Sequence, residues 1–249
     1  MIAVVIPCYK VGLHVCDVIA RIGEEVARIY VVDDACPHKA GDLVEATCTD
    51  ARVTVLRNTR NLGVGGAVTR GYRQALTDGA SVVVKLDGDM QVDPALIPEL
   101  VKPILHGEAD YRKGNRFARS CSLKNMPAIR RVANRLASTA NRWLTGFTHI
   151  NDSANGFTAI LSDCLRQLPL NRLDKGYFFE SDMLYRLSRI GARVSDMPMD
   201  AVYGQEQSGV NIRREWFNFG WKYLFLLAGK CLRKLPVQTS SRKEKNRNP

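Results

Sequence analysis

From Tyr111 to Asn151 this chain contains no aspartate or glutamate, while Arg112, Lys113, Arg116, Arg119, Lys124, Arg130, Arg131, Arg135 and Arg142 all fall inside the stretch. A second basic excess follows Gly229, where seven lysines and arginines face Glu244 alone, a net six of the overall +11. The first 110 residues show no comparable excess, so the charge is not that of a DNA-binding domain. Basic and aromatic residues do not interleave along the apolar strands either, which argues against an RNA-reading sheet. A phosphorylated substrate or an anionic lipid surface is the partner that this distribution fits.

Long apolar runs are missing too. The uninterrupted apolar part of "WFNFGWKYLFLLAGKCLRKL" runs only from Tyr223 to Gly229, far short of the ~20 residues a membrane span needs. Aromatics and leucines followed by Lys and Arg suit a helix in the headgroup region, or one docked on the core. The seven cysteines are scattered without a C-x-x-C, and the four histidines are not spaced for zinc. Packing as small apolar thiols in a reducing cytoplasm is the expectation. "MIAVVIPCYK" enters a strand directly, so no signal peptide is expected. No Gly/Ser linker or repeat interrupts the chain.

Short β-branched runs recur at "IAVVIP", "RIYVVDD", "RVTVLRN", "SVVVKLD" and "ADYRKGN". Between them "GLHVCDVIARIGEEVARI", with apolar residues at 15, 18, 19, 22 and 26, reads as a helix, as do "VGGAVTRGYRQALTDG" and "PALIPELVKPILHG". Strands apolar on both faces and alternating with helices predict a mostly parallel α/β sheet. Ligands of such sheets bind beyond the carboxyl ends of the strands, where this chain places polar residues. After residue 115 the spacing predicts a basic helix from Pro127 to Leu144, a loop, a strand "FTAILS", a helix from Phe179 to Ile190 and a strand "ARVSDMPM".

The fourth run ends in "KLDGDMQVDP". Asp87, Asp89 and Gln91 offer hard oxygen ligands for Mg²⁺ or Mn²⁺, a metal that keeps water and takes further ligands from substrate phosphates. An acidic surface turn is the plainer alternative. A calcium-binding helix–loop–helix is excluded, because Val92 stands at the loop's sixth position and Pro98 at its twelfth. Asp93 before Pro94 reads as a helix cap. Gly63, Gly65 and Gly66 follow the third strand instead of the first, so they do not match a dinucleotide fingerprint. Close helix packing beside a nucleotide and a tight turn both remain open for them.

"VVIPCYK", "VVDDAC", "RNLGVGGAV", "KLDGDMQVDP", "KGNRF", "NGFTAI" and "FFESDMLYRL" together resemble family 2 glycosyltransferases of the GT-A fold, most of all the polyprenyl-phosphate, dolichyl-phosphate mannose synthase-like branch. The resemblance covers roughly residues 1–205. It implies a Rossmann-like sheet with a smaller, mixed acceptor-side region: a catalytic domain over 1–211, divided into a nucleotide half (1–115) and an acceptor half (116–211). An aromatic, basic helix over 212–238 and a disordered tail over 239–249 would complete the chain.

By that resemblance Pro7, Tyr9, Asp33, Asp34, Asn61, Gly65 and Asp87 contact the nucleotide, and Asp87, Asp89 and Gln91 hold Mg²⁺ or Mn²⁺. A carboxylate accepts well from a base N–H or a ribose hydroxyl, although Asp33 and Asp34 would equally serve as a capping turn. Arg116 would clamp the sugar diphosphate. Asp89, Arg116, Asp152, Glu180 and Asp182 complete the catalytic set, with Asp182 or Glu180 as base for a hydroxyl acceptor, or else capping a helix or orienting Arg116. "RREW" lacks the upstream glutamine of the processive synthases, which implies a single transfer. The resulting expectation is an inverting enzyme, peripheral on the cytoplasmic face of the membrane, that moves one sugar from a nucleoside-diphosphate sugar to a polyprenyl phosphate. Transfer to a saccharide hydroxyl in surface-polysaccharide or glycolipid assembly is its alternative, and a non-catalytic nucleotide-sugar binding protein the rival from another class. No nucleic-acid partner is expected.

Overall fold

Strand β1, Ile2–Cys8, is buried along its whole length because its two faces meet different helical layers. Ile2, Val4 and Ile6 pack in one core and Ala3 and Val5 in the other, the two-residue alternation of a strand covered on both sides. A computed structural model describes residues 1–12, 14–118, 126–200 and 219–227. Around β1 it places β2 (Val26–Asp33), β3 (Val53–Arg57), β4 (Val82–Lys85), β5 (Tyr111–Asn115), β6 (Thr158–Leu161) and β7 (Val194–Pro198). The sheet order is β3-β2-β1-β4-β6-β5-β7.

Strands β1 to β4 run parallel, and so do β5 and β7. Strand β6 runs antiparallel between β4 and β5. Because of that reversal, the start of β6 lies where β4 and β5 end, with Thr158 opposite both Lys85 and Lys113. The loop ahead of β6 therefore reaches the same sheet edge as the ends of the parallel strands.

Helices α1 (His14–Ala20), α2 (Ala40–Thr47) and α4 (Ile97–Leu105) cover one face through Val15, Val18, Ile19, Val44, Leu100 and Ile104. Helices α3 (Val64–Thr77), α6 (Ser162–Arg166) and α7 (Phe179–Arg189) cover the other through Val68, Tyr72, Leu165, Met183 and Leu187. The result is the three-layer α/β arrangement expected of a GT-A fold. Helix α5 (Ala128–Thr145) precedes β6 and ends on Gly146, whose φ of +82° is that of a left-handed C-cap.

One helix reading is corrected. The apolar period through Val26 does not continue α1, which stops at Ala20, and Val26 opens β2. The glycine and paired glutamates at 23–25 make a turn there, and Val26 is fully buried in register with Ile2. Asp93 does cap as expected, accepting from Ala95 N–H at 3.1 Å with Pro94 next to it.

The described residues fall in two units, one up to residue 200 and the other over 219–227. Of the second, residues 219–227 are helical, with Trp221, Leu224 and Phe225 exposed. The expected tail over 239–249 and most of the expected helix over 212–238 lie outside the described residues. No helix among the described residues is long and apolar enough to cross a membrane.

Candidate active site

The ends of β1 to β5 and the start of β6 share one edge, and every sequence-derived candidate on the donor side lies there. Pro7 is buried at the end of β1, and the half-exposed Tyr9 ring has Lys10 Nζ 5.3 Å from its centre. At the end of β2, Asp33 accepts from Cys36 N–H at 2.7 Å and Gly41 N–H at 2.8 Å. Asp34 accepts from Asn58 Nδ2 at 2.6 Å and from the N–H groups of Leu62 and Gly63, each at 2.8 Å. Both acids therefore build the turns around them. Asn61 closes a local turn onto Gly63 N–H at 3.0 Å.

The glycines after β3 serve a turn and a close approach. Gly63 has φ +81°, the left-handed region. Gly65 lets α3 approach the loop before α7: a Cβ there would overlap Asp174 O and the Phe179 ring. Gly65 N–H donates to Lys175 O at 2.9 Å, so this helix start is already engaged. Gly63 fits both the turn and the close packing, since a Cβ there would overlap Lys175 O, and Gly65 fits the close packing.

The centre of the edge is the turn after β4. Asp89 Oδ1 accepts from Gln91 N–H at 3.1 Å, and Met90 between them has φ +60°, an uncommon conformation for a residue with a side chain. Asp87 Oδ1 lies 3.0 Å from Lys85 Nζ, and the same ammonium lies 2.8 Å from Glu180 Oε1 on α7. Lys85 is 1% exposed. Burial works against its charge, but the two carboxylates outweigh that and hold its pKa above the ordinary lysine value. Gly156, in the loop before β6, passes so close that a Cβ would overlap Asp87 Oδ2 and Lys85 Nζ. A lysine inside the apolar run "VVVKLD" is the sequence signal for this junction, and motif matching passes over it.

A second buried pair stands beside the first. Arg116 donates from Nε to Asp152 Oδ2 at 2.7 Å, from Nη2 to Oδ1 at 2.9 Å, and from its backbone N–H to Oδ2 at 3.1 Å. Asp152 is fully buried, which alone would raise its pKa, yet Arg116 and Lys113 hold it below the usual carboxylate range. A carboxylate so placed holds Arg116 in position through three hydrogen bonds. Arg116 is thus oriented by Asp152. Lys113, also fully buried, donates to Asn155 O at 2.5 Å and Ser153 O at 3.2 Å. Burial lowers its pKa to about 8 against the opposing pull of Glu180 and Asp152.

The two acids of α7 separate. Glu180 joins Lys85 and hence Asp87. Asp182 accepts from Asp174 N–H at 2.9 Å and Arg186 Nε at 3.0 Å, bracing the loop before α7. Its other oxygen is buried without a hydrogen bond, and burial raises its pKa. Next to Arg116, a cavity of about 290 Å³ is lined by Phe117, Arg135, Ser138, Thr139, Arg142 and Asn151.

Among the described residues no three His, Cys, Asp or Glu side chains gather as a metal cage. Asp87 and Asp89 on one turn nonetheless fit a Mg²⁺ or Mn²⁺ ion held by one or two carboxylates and completed by substrate phosphates and water. The Asp87 side chain is 40% exposed and so within reach of such a partner.

The model of the family described as Glycosyl transferase family 2 matches residues 3–168. The chain is similar to the undecaprenyl-phosphate mannosyltransferase of Micrococcus luteus, 32% identical over 176 residues, covering 70% of this chain and 71% of that one. It is similar as well to the polyprenol monophosphomannose synthase of Mycolicibacterium smegmatis, 30% identical over 223 residues, 86% and 83% of the two chains. Among solved structures it matches the glucosyl-3-phosphoglycerate synthase of Mycobacterium tuberculosis bound to Mn²⁺, UDP and phosphoglyceric acid, with TM-score 0.66, 19% identity, and 93% and 78% of the chains covered. At that identity the structural likeness establishes the fold alone.

Proposed function

Because this chain belongs to glycosyl transferase family 2, we propose that it moves a single sugar, with Mg²⁺ or Mn²⁺, from a nucleoside-diphosphate sugar to a hydroxyl of an anionic acceptor, a saccharide or a small phosphorylated molecule. The observation that carries the reading is the junction at Lys85, where a metal-competent acid of the donor side and an acid of the acceptor side share one buried cation. The arginine-lined cavity beside Arg116 supports an anionic acceptor. The fold shared with a synthase solved with phosphoglyceric acid supports a phosphorylated one.

In this reading Asp87, Asp89 and Gln91 would hold the metal, which would supply positive charge against the departing diphosphate. Pro7, Tyr9, Asp34 and Asn61 shape the wall for base and ribose, the backbone and ring surfaces doing what the engaged carboxylates do not. Arg116, fixed by Asp152, faces the phosphates. The acceptor oxygen attacks the anomeric carbon, the bond from that carbon to the phosphate oxygen breaks with its electron pair, and Glu180 takes the hydroxyl proton. Asp182 holds the α7 loop.

A second reading has specific support: the mannosyltransferase of Micrococcus luteus and the synthase of Mycolicibacterium smegmatis are both named for polyprenyl-phosphate chemistry. The two part at Glu180, since an ionised phosphate needs no base. Glu180→Gln should lower kcat roughly 10²-fold for a hydroxyl acceptor and far less for a phosphate. Purified protein is to be assayed with Mn²⁺, UDP-, GDP- and dTDP-sugars and both acceptor classes. Product formed on polyprenyl phosphate alone, a lipid phosphate sugar labile to mild acid, overturns the main reading.

A further inference from the structure

Helix α5 buries Leu144 but carries its other large apolar residues outward. Its inner side is largely polar: Ser138 and Asn141 are each 2% exposed, Ser138 donating to Ser153 Oγ at 3.3 Å and Asn141 Nδ2 to Ser181 Oγ at 2.8 Å. Its outer side bears Ile129, Val132, Leu136 and Trp143, exposed to 62%, 57%, 53% and 68%. Spacings of three, four and seven put these four on one stripe. Arg131, Arg135 and Arg142, spaced four and seven apart, form a parallel row beside it. A surface helix of a water-soluble fold ordinarily shows the opposite arrangement.

We propose that the stripe of α5 lies in the headgroup region of an anionic bilayer, with the arginine row against lipid phosphates. Apolar residues and a tryptophan on one side, and cations on the next, are what a helix lying in the interface presents. The acid-free sequence from Tyr111 to Asn151 supplies the charge complement. A second copy is a poorer occupant: a two-fold contact through this stripe sets arginine row against arginine row, with no acid on the helix to pair them. Since the same helix lines the cavity beside Arg116, docking would bring that cavity to the membrane surface. The membrane contact goes beyond the sugar transfer, which holds with or without it.

The test is co-sedimentation of the full chain with phosphatidylglycerol-containing vesicles and with neutral ones. The proposal expects binding to the anionic vesicles only, weakened by salt. Val132→Glu combined with Leu136→Glu should cut apparent affinity at least tenfold while nucleotide-sugar binding, followed by calorimetry, and the solution mass stay unchanged. Equal vesicle binding by that variant overturns the proposal, and so does a dimer that the variant dissociates without any lipid binding by the wild type. Should the double variant fail to fold, Trp143 fluorescence in a Trp216→Phe/Trp221→Phe background decides: quenching by brominated anionic lipid supports the placement, and no quenching refutes it.

Discussion

The left and right halves of the sheet use charge differently. At the ends of β2 and β3, Asp33 and Asp34 take mainly backbone N–H groups from nearby loops, so those carboxylates hold the turns beside β1 in shape. Along the β4–β6–β5 seam the charges are buried and paired with distant partners: Lys85 with Glu180, 95 residues on, and Arg116 with Asp152, 36 residues on. The first half is a rigid wall that neutral chemistry would also build. The second keeps ionic groups where their desolvation costs stability, as expected of a site that handles charge.

Removing one member of a seam pair is the harshest way to probe that contrast. Asp152→Ala leaves Arg116 buried without its counter-charge and should cost about 3–5 kcal/mol in urea unfolding, whereas Asp33→Ala, which frees two backbone N–H groups, should cost about 2 kcal/mol. Equal costs would erase the distinction.

A finer probe is pH. Between about 8 and 10.5 Lys113 binds fewer protons folded than unfolded, so unfolding releases no proton there but takes one up. Stability therefore rises with pH across that window, and the penalty of the buried ammonium is fully present below it. Relative to Lys113→Met, the wild type should gain roughly 2 kcal/mol from pH 7 to pH 10. A flat difference would show that Lys113 is not desolvated.

The smallest effect belongs to the exposed fan of Arg57 on Glu45 and Asp42, at 2.7 and 2.9 Å. Surface pairs contribute little and are screened. Arg57→Ala should leave the melting midpoint unchanged in high salt, and a marked fall would place electrostatic weight on the wrong half.

Strand runs and the turn after β4 are legible in the sequence because each is local: alternation, β-branching and a short acid-rich turn report their own environment. Val26 reads as helical because a helical period runs on through a turn into a buried strand. The direction of β6 and the partners of Lys85 depend on contacts far apart in sequence, which periodicity does not encode. A lysine within four buried strand residues does announce a buried charge; what it pairs with is not readable. The arginines of α5 are readable as a basic face, but not that its apolar stripe turns outward. Asp152 shows the reverse limit: its motif marks it as important, and only the structure shows that it is bound to Arg116.

The most direct test of the central claim is transfer from a nucleoside-diphosphate sugar by wild type and Asp89→Asn across a Mn²⁺ titration. If the turn after β4 is the metal site, wild-type turnover depends on the ion, and the variant loses roughly 10²–10³-fold in kcat while its melting midpoint stays put. Unchanged turnover in the variant, or wild-type turnover indifferent to the metal, would contradict the assignment.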